Sequence, residues 1–338
     1  MSSTVAGAPL LVVENMTKEF PAQRRFLAGK ASRPLLAVDH VSFSATRGET
    51  FGIVGESGCG KSTLTRAILR LIEPTSGHAY FDGIDLGSLD ATALRAIRSR
   101  LQVVFQDPFS SLDPRMSIRD IVAEGLEIHG DGDRSECRLR AAEMLELVGI
   151  PPAVHGNRPD AFSGGQRQRV GVARALAMRP ELVFLDEPIS ALDVSIQAQV
   201  LNLLRRLQLE LGLTYVFIVH DLAIAEYFCD RVAVLYRGSI VETGARAQLF
   251  EAPLHPYTVA LLSAVPEPDP KRSRHRQRIV LQGDVAPVHS DTVGCRFRAR
   301  CPVGKDRALC ATLSPPLQER VDAHQVACHF PGELRVSP

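Results

Sequence analysis

The sequence predicts an α/β fold, a nucleotide-binding type of core interrupted by a helical insertion and followed by a small cysteine-containing module. Three observations predict it. Short, wholly apolar runs at residues 51–54, 182–185 and 215–219 read as buried strands of a mainly parallel sheet. Strand signals fade between about 107 and 178, where helical periodicity takes over, as in Ala141-Ala142-Glu143-Met144-Leu145-Glu146-Leu147. Beyond residue 265 the chain turns proline-rich and basic (Pro266, Pro268, Pro270, then Lys271 to His275), which marks a linker, and four of the seven cysteines follow residue 294.

Taken in order, Leu10 to Glu14 opens a strand that ends near Phe20. A basic, turn-rich loop spans 21–34, and a second strand lies around Val41 to Ser44. The run Phe51 to Val54 then leads into Gly55-Glu56-Ser57-Gly58-Cys59-Gly60-Lys61-Ser62, followed by Thr63 and a helix to Leu69. Strand, glycine-rich loop and helix in that order are the context of a phosphate-binding loop. The glycines let backbone N–H groups turn inward around a β-phosphate, and the helix start adds its positive dipole end. Lys61 can bridge the β- and γ-phosphates, and Ser62 can hold Mg²⁺. Residues 89–100 read as a helix and Gln102 to Phe105 as a strand. Leu182 to Leu185 is a strand that ends in Asp186 and Glu187. Asp186 can reach the metal, and Glu187 can act as general base on water beyond the γ-phosphate. Phe162-Ser163-Gly164-Gly165-Gln166 opens a further helix, with Ser163 as N-cap and two glycines that can face an anion. One nucleotide needs one cradle, so a second in the same chain calls for an explanation.

Composition sets bounds. In 338 residues, 45% hydrophobic and 23% charged, a sizeable core is expected; a net charge of +1 gives no overall field toward nucleic acid or lipid. No apolar run is long enough for a transmembrane helix, and the N-terminus lacks the basic start and apolar core of a secretory signal, so the cysteines are expected to stay reduced.

The phosphate loop 55–62, Gln106, the 162–166 segment, Asp186-Glu187, Ser190-Ala191-Leu192-Asp193 and a strand ending in His220 resemble, in this order, the ATP-binding-cassette family of transport ATPases. The resemblance covers roughly residues 10–265. It implies a RecA-like P-loop NTPase core with a helical subdomain at about 107–178 and an antiparallel β part near the N-terminus. Residues 1–265 would form the cassette, and 266–338 the linker and extension. It also explains the second cradle, because cassettes of this family pair head to tail and share each ATP between the loop of one and the signature of the other. By position, Ser163, Gly164, Gly165 and Gln166 would meet the partner's ATP. Gln106 would join Ser62 and Asp186 on Mg²⁺, His220 would bind the γ-phosphate, Asp193 would communicate across the dimer, and Phe20 would stack on adenine, with Phe43 and Phe26 as alternatives. Phe162 and Ile189 depart from the usual Leu and Thr without removing a charged or metal-binding group.

Three stretches resemble the peptide/nickel importer branch: Val104 to Met116, His255-Pro256-Tyr257-Thr258, and Gly294-Cys295-Arg296-Phe297-Arg298-Ala299-Arg300-Cys301-Pro302. That branch implies a second, different cassette subunit, two membrane permeases, an extracytoplasmic substrate-binding protein and a peripheral position on the cytoplasmic face of the cell membrane. Oligopeptide, dipeptide, glutathione-type peptide and nickel chelate remain open as cargo. Cys295, Cys301, Cys310 and Cys328 lack the tight pairs of structural zinc. A [4Fe–4S] cluster, offset by Arg296, Arg298, Arg300, Lys305 and Arg307, is the expectation, with zinc or free thiols as alternatives. A cassette ATPase acting on DNA or ribosomes is disfavoured, since roughly a hundred residues separate Lys61 from Ser163 and the chain carries one cassette.

Overall fold

The structure, a computed structural model, describes residues 8–21, 33–107, 111–130, 132–265, 278–283, 288–289 and 291–335. In chain order the elements are β1 (Pro9–Phe20), β2 (Leu35–Thr46), β3 (Thr50–Val54), α1 (Lys61–Ile68), β4 (Ser76–Phe81), β5 (Ile84–Asp85), α2 (Ala91–Arg98), β6 (Leu101–Val104), α3 (Ile118–His129), α4 (Arg134–Leu147), α5 (Gly164–Ala177) and β7 (Leu182–Asp186). They continue with α6 (Val194–Leu211), β8 (Thr214–Val219), α7 (Leu222–Phe228), β9 (Arg231–Tyr236), β10 (Ser239–Ala245), α8 (Arg246–Glu251), α9 (Pro256–Ala264), α10 (Ala308–Thr312), β11 (Gln318–Val321) and β12 (His324–Val326). The chain divides into two compact units. One comprises the described residues among 1–10, 45–50 and 88–218, the other those among 11–44, 51–87 and 219–338. Phe26, the linker prolines and residues 271–277 lie outside the described residues.

In the first unit β6, β7 and β8 run parallel, with Leu101 opposite Leu182 and Leu182 opposite Thr214. Every residue of β7 and β8 is buried, which is why both read as unbroken apolar runs. Helices α3, α4 and α5 pack on one another. Their buried positions recur at helical spacing: Ile118, Ile121, Val122 and Leu126 on α3, then Cys137, Ala141 and Leu145 on α4. Ser117 caps α3, and Asp133 forms a capping box with Glu136 on α4.

In the second unit β1 pairs antiparallel with β4 in a sheet ordered β2-β1-β4-β5. A register shift between Glu14 and Thr17 lets β1 continue to Phe20 as one strand, longer than the apolar run alone suggests. A separate set runs β11-β12-β10-β9-β3, with β3 parallel to β9 and the rest antiparallel. The hairpin β11–β12 comes from the C-terminal tail, so the tail extends a sheet edge. Its pairing places Glu242 opposite Val326.

Candidate nucleotide site

The phosphate loop is shaped by close backbone approaches within the second unit. β3 ends at Val54, and α1 begins at Lys61 behind Gly60, whose φ of 107° is open to glycine. A Cβ at Gly60 would lie 2.3 Å from the Ala37 carbonyl oxygen, and one at Gly55 would lie 2.3 Å from that of Leu235. The Gly238 N–H donates to the Cys59 carbonyl at 2.8 Å. The loop therefore has packing reasons for its glycines as well as phosphate reasons. Lys61 is buried and donates through Nζ to the carbonyls of Gly55 (2.8 Å) and Glu56 (3.0 Å), so its ammonium is held inside the ring of loop carbonyls. Ser57 and Gly58 are exposed, Ser62 and Thr63 half-buried. Cys59 is buried, and burial raises its thiol pKa.

In the first unit the acidic strand end has its own geometry. Asp186 closes β7 and is buried, while Glu187 turns out of the strand with φ 47°. That left-handed turn, uncommon for a non-glycine residue, stops the alternation of side chains and leaves Glu187 half-buried. Its N–H donates to the Ile218 carbonyl at 3.0 Å. Gln106, exposed just after β6, donates from Nε2 to Glu187 Oε2 at 2.9 Å. Two residues 81 positions apart thus meet, one an amide and the other a carboxylate able to take a proton.

At the start of α5 the Ser163 side chain accepts from the Gln166 N–H, while the Gln166 side chain accepts from the Ser163 N–H at 3.0 Å. This reciprocal cap fixes the helix start with Ser163 and Gln166 exposed. Gly165 also has a packing role, since a Cβ there would sit 2.4 Å from Ile196 Cγ2. Asp193 is the exposed N-cap of α6 and makes no capping bond with its side chain. His220 is exposed directly after β8. Phe20 ends β1, half-buried, with the Lys18 ammonium 5.2 Å above its ring. Phe43 is buried and stacks on Phe51 at 4.8 Å, so it is spent in the core and drops out as an adenine partner.

Residues 38–190 match the family described as ABC transporter, and residues 241–310 match the family described as Oligopeptide/dipeptide transporter, C-terminal region. A protein of Brucella ovis named as a peptide import ATP-binding protein is 50% identical over 320 residues, covering 95% of this chain and 97% of that protein. The oligopeptide transport ATP-binding protein AppF of Bacillus subtilis is 46% identical over 322 residues, again 95% and 97%. The chain belongs to the ATP-binding-cassette transporter family, in its oligopeptide/dipeptide branch. Among solved structures, the dimeric ATP-binding cassette MJ0796 bound to ADP and Pi matches with a TM-score of 0.61 and 31% identity, covering 70% of this chain and 98% of that one. The cassette is accordingly an ATPase with the P-loop fold.

The tail of this cassette bears on the cluster expectation. Among the described residues no group of three or more His, Cys, Asp or Glu side chains is arranged to hold a metal ion, so neither the iron–sulfur cluster nor zinc is supported at Cys295, Cys301, Cys310 and Cys328. None of the four forms a disulfide. Burial raises the pKa of Cys295 and Cys310 and pushes Cys328 up to about 12, and the neighbouring thiols of Cys295, Cys301 and Cys310 add to the rise at Cys328. The Cys301 Sγ accepts from the Gly304 N–H at 3.1 Å. Of the cations expected to offset a cluster, Arg298 and Arg307 act on the Cys310 thiol, and the arginines have other partners as well. Arg296 pairs with Asp39, Arg300 with Glu56 and Arg307 with Glu333, and Arg298 donates to the Lys305 carbonyl.

Several anchoring residues escaped the sequence reading. Glu242 is fully buried in β10, where it accepts from the N–H groups of Leu254 (2.7 Å) and His255 (2.9 Å) and lies 2.8 Å from His324 Nε2. His255 Nδ1 accepts from the Tyr257 N–H at 3.0 Å, capping α9. The His255-Pro256-Tyr257-Thr258 motif, read above only as a branch marker, thus joins β10, α9 and the tail hairpin.

Proposed function

We propose that this chain is the ATP-hydrolysing subunit of a membrane importer for oligopeptides or dipeptides. It would act with a second cassette subunit, two permeases and, through them, an extracytoplasmic substrate-binding protein. The observation that carries this reading is the coexistence of a complete phosphate loop and a separately capped, exposed helix start at Ser163. Two half-sites in one chain suit a molecule that completes its ATP sites with a sister subunit. Peptide cargo is favoured over nickel chelate or glutathione by the names of the relatives and by the tail family that residues 241–310 match. No helix among the described residues is long and apolar enough to cross a membrane. Peripheral attachment to the permeases on the cytoplasmic face fits that.

In this proposal Lys61 and the loop N–H groups of 55–63 bind the phosphates, with Phe20 at the adenine. Ser62, Gln106 and Asp186 are the residues assigned to Mg²⁺, which would neutralise charge on the transferring phosphoryl. Glu187, held by Gln106, takes the proton of the attacking water. His220 and, from the sister subunit, the signature residues and Asp193 complete the γ-phosphate environment. The test is assembly. The Glu187→Gln chain, mixed with its partner cassette and ATP, should elute as a stable dimer that dissociates without nucleotide. A monomer that encloses ATP by itself, unaffected by changes at Ser163, would overturn the reading.

A further inference from the structure

Glu56 is an acid in the middle of a loop whose task is to bind a polyanion, and its neighbours explain how that is tolerated. Both carboxylate oxygens are taken by the Arg300 guanidinium, Nη1 to Oε2 at 2.7 Å and Nη2 to Oε1 at 3.0 Å. The two side chains keep only 9% and 28% of their exposure, so the pair is shielded from the screening that makes surface bridges weak. The fork is bidentate, the geometry in which an arginine holds a carboxylate in one orientation. The Glu56 backbone is held too. Its N–H donates to the Tyr257 hydroxyl at 3.1 Å, and its carbonyl accepts from Lys61 Nζ at 3.0 Å.

Arg300 comes from the tail, 244 positions away, and is itself fixed in place. Its guanidinium lies 6.0 Å from the centre of the Tyr236 ring. Three residues earlier, Phe297 is buried against Tyr236 (5.2 Å), Tyr257 (5.4 Å) and His255 (5.6 Å). Cys301, the next residue, is buried as well. The tail segment 295–301 thus has an apolar anchor beside two charged contacts, Arg296 with Asp39 and Arg300 with Glu56, and the second of these is on the phosphate loop.

We propose that Arg300 is a positioning residue for nucleotide binding, which neutralises Glu56 and keeps its carboxylate from pairing with Lys61 or opposing the incoming polyphosphate. The C-terminal module is then part of the nucleotide site's support rather than an appendage to the cassette. With Arg300 removed, Lys61 remains as a neighbouring cation, its ammonium already against the Glu56 carbonyl. An ion pair there would occupy the charge that the phosphates need, and an unpaired carboxylate would repel them. Either way the penalty resides in the Glu56 charge, and removing that charge removes the penalty.

The inference rests on residues 55–62 being the nucleotide site, and the experiment separates the two. Fluorescent ATP is titrated into the full chain, its R300Q, R300K and R300Q/E56Q variants, and K61A. R300Q should raise Kd about five- to tenfold, the order expected for one half-shielded charge pair. R300K, which keeps the charge but loses the fork, should recover part of that. R300Q/E56Q should return to within about twofold of the unaltered chain. An unchanged Kd in R300Q overturns the inference, and so does a double variant that stays as weak as R300Q, because damage to tail packing would not be reversed by a change at Glu56. Should R300Q fail to fold, R300K and the double variant carry the same comparison: loss in the double variant comparable to K61A overturns the proposal. Unaltered affinity in K61A would instead refute the site itself.

Discussion

His255 makes the tail attachment sensitive to acid, and the magnitude follows from its surroundings. Its pKa is lowered from 6.5 to about 4, first by burial, against smaller opposing contributions from Glu242 and the Ala327 backbone. The neutral ring is also the form that can cap α9, since Nδ1 must accept the Tyr257 N–H. A histidine with a depressed native pKa binds fewer protons folded than unfolded, so stability is present above pH 6.5 and is lost as pH falls toward 4. At about 1.4 kcal/mol per pH unit, a shift of this size amounts to roughly 3 kcal/mol in all, with about 2 kcal/mol already lost between pH 7 and 5. Urea unfolding of the full chain at pH 7, 6 and 5 measures the slope. His255→Asn retains a side-chain acceptor for the cap and removes the titration. It should be less stable at pH 7, because the ring no longer packs on Phe297, but should show a shallower decline toward pH 5. Equal slopes in the two proteins would refute the argument, since Glu242 and His324, the ionisable groups facing His255 and its partner, are present in both.

Glu187→Gln should retain ATP binding and lower turnover of the assembled complex by about 10²–10⁴-fold, the range for loss of a general base, with phosphate release as the measurement. Normal turnover would show that Glu187 has another role. Gly60→Ala should destabilise the chain by about 2 kcal/mol or more, seen as a lowered melting temperature, because a Cβ meets the Ala37 carbonyl at a φ that L-residues avoid. Glu242→Ala should cost about 3–5 kcal/mol by leaving two N–H groups and His324 without their acceptor. It should also expose the β11–β12 hairpin to limited proteolysis, and unchanged cleavage there would count against Glu242 as the tie.

The cassette was legible because its chemistry is written in short segments. A phosphate loop needs a strand, glycines and a helix start within some twenty residues, and all three lie between Phe51 and Leu69. The Ser163 cap and the acidic end of β7 are equally local, and the structure finds the cap and the turn where the residue types suggest them. The boundaries of β1 and β2 were less legible, since pairing with neighbours carries each strand past its apolar run. For the cysteines, spacing and charge were all that could be weighed. In the fold, Arg296, Arg300 and Arg307 answer to Asp39, Glu56 and Glu333, acids 257, 244 and 26 positions away.

By itself, the sequence determined that this is a P-loop ATPase of the cassette family, because phosphate and Mg²⁺ recognition depends on backbone turns and side chains that a few consecutive residues specify. Only the tertiary structure decided what the tail does with its charges, where Glu242 goes, and why His255 and Tyr257 follow one another. Those outcomes depend on which distant groups share a desolvated space. A buried carboxylate or guanidinium must find a partner wherever the fold brings one, and no local pattern records that choice.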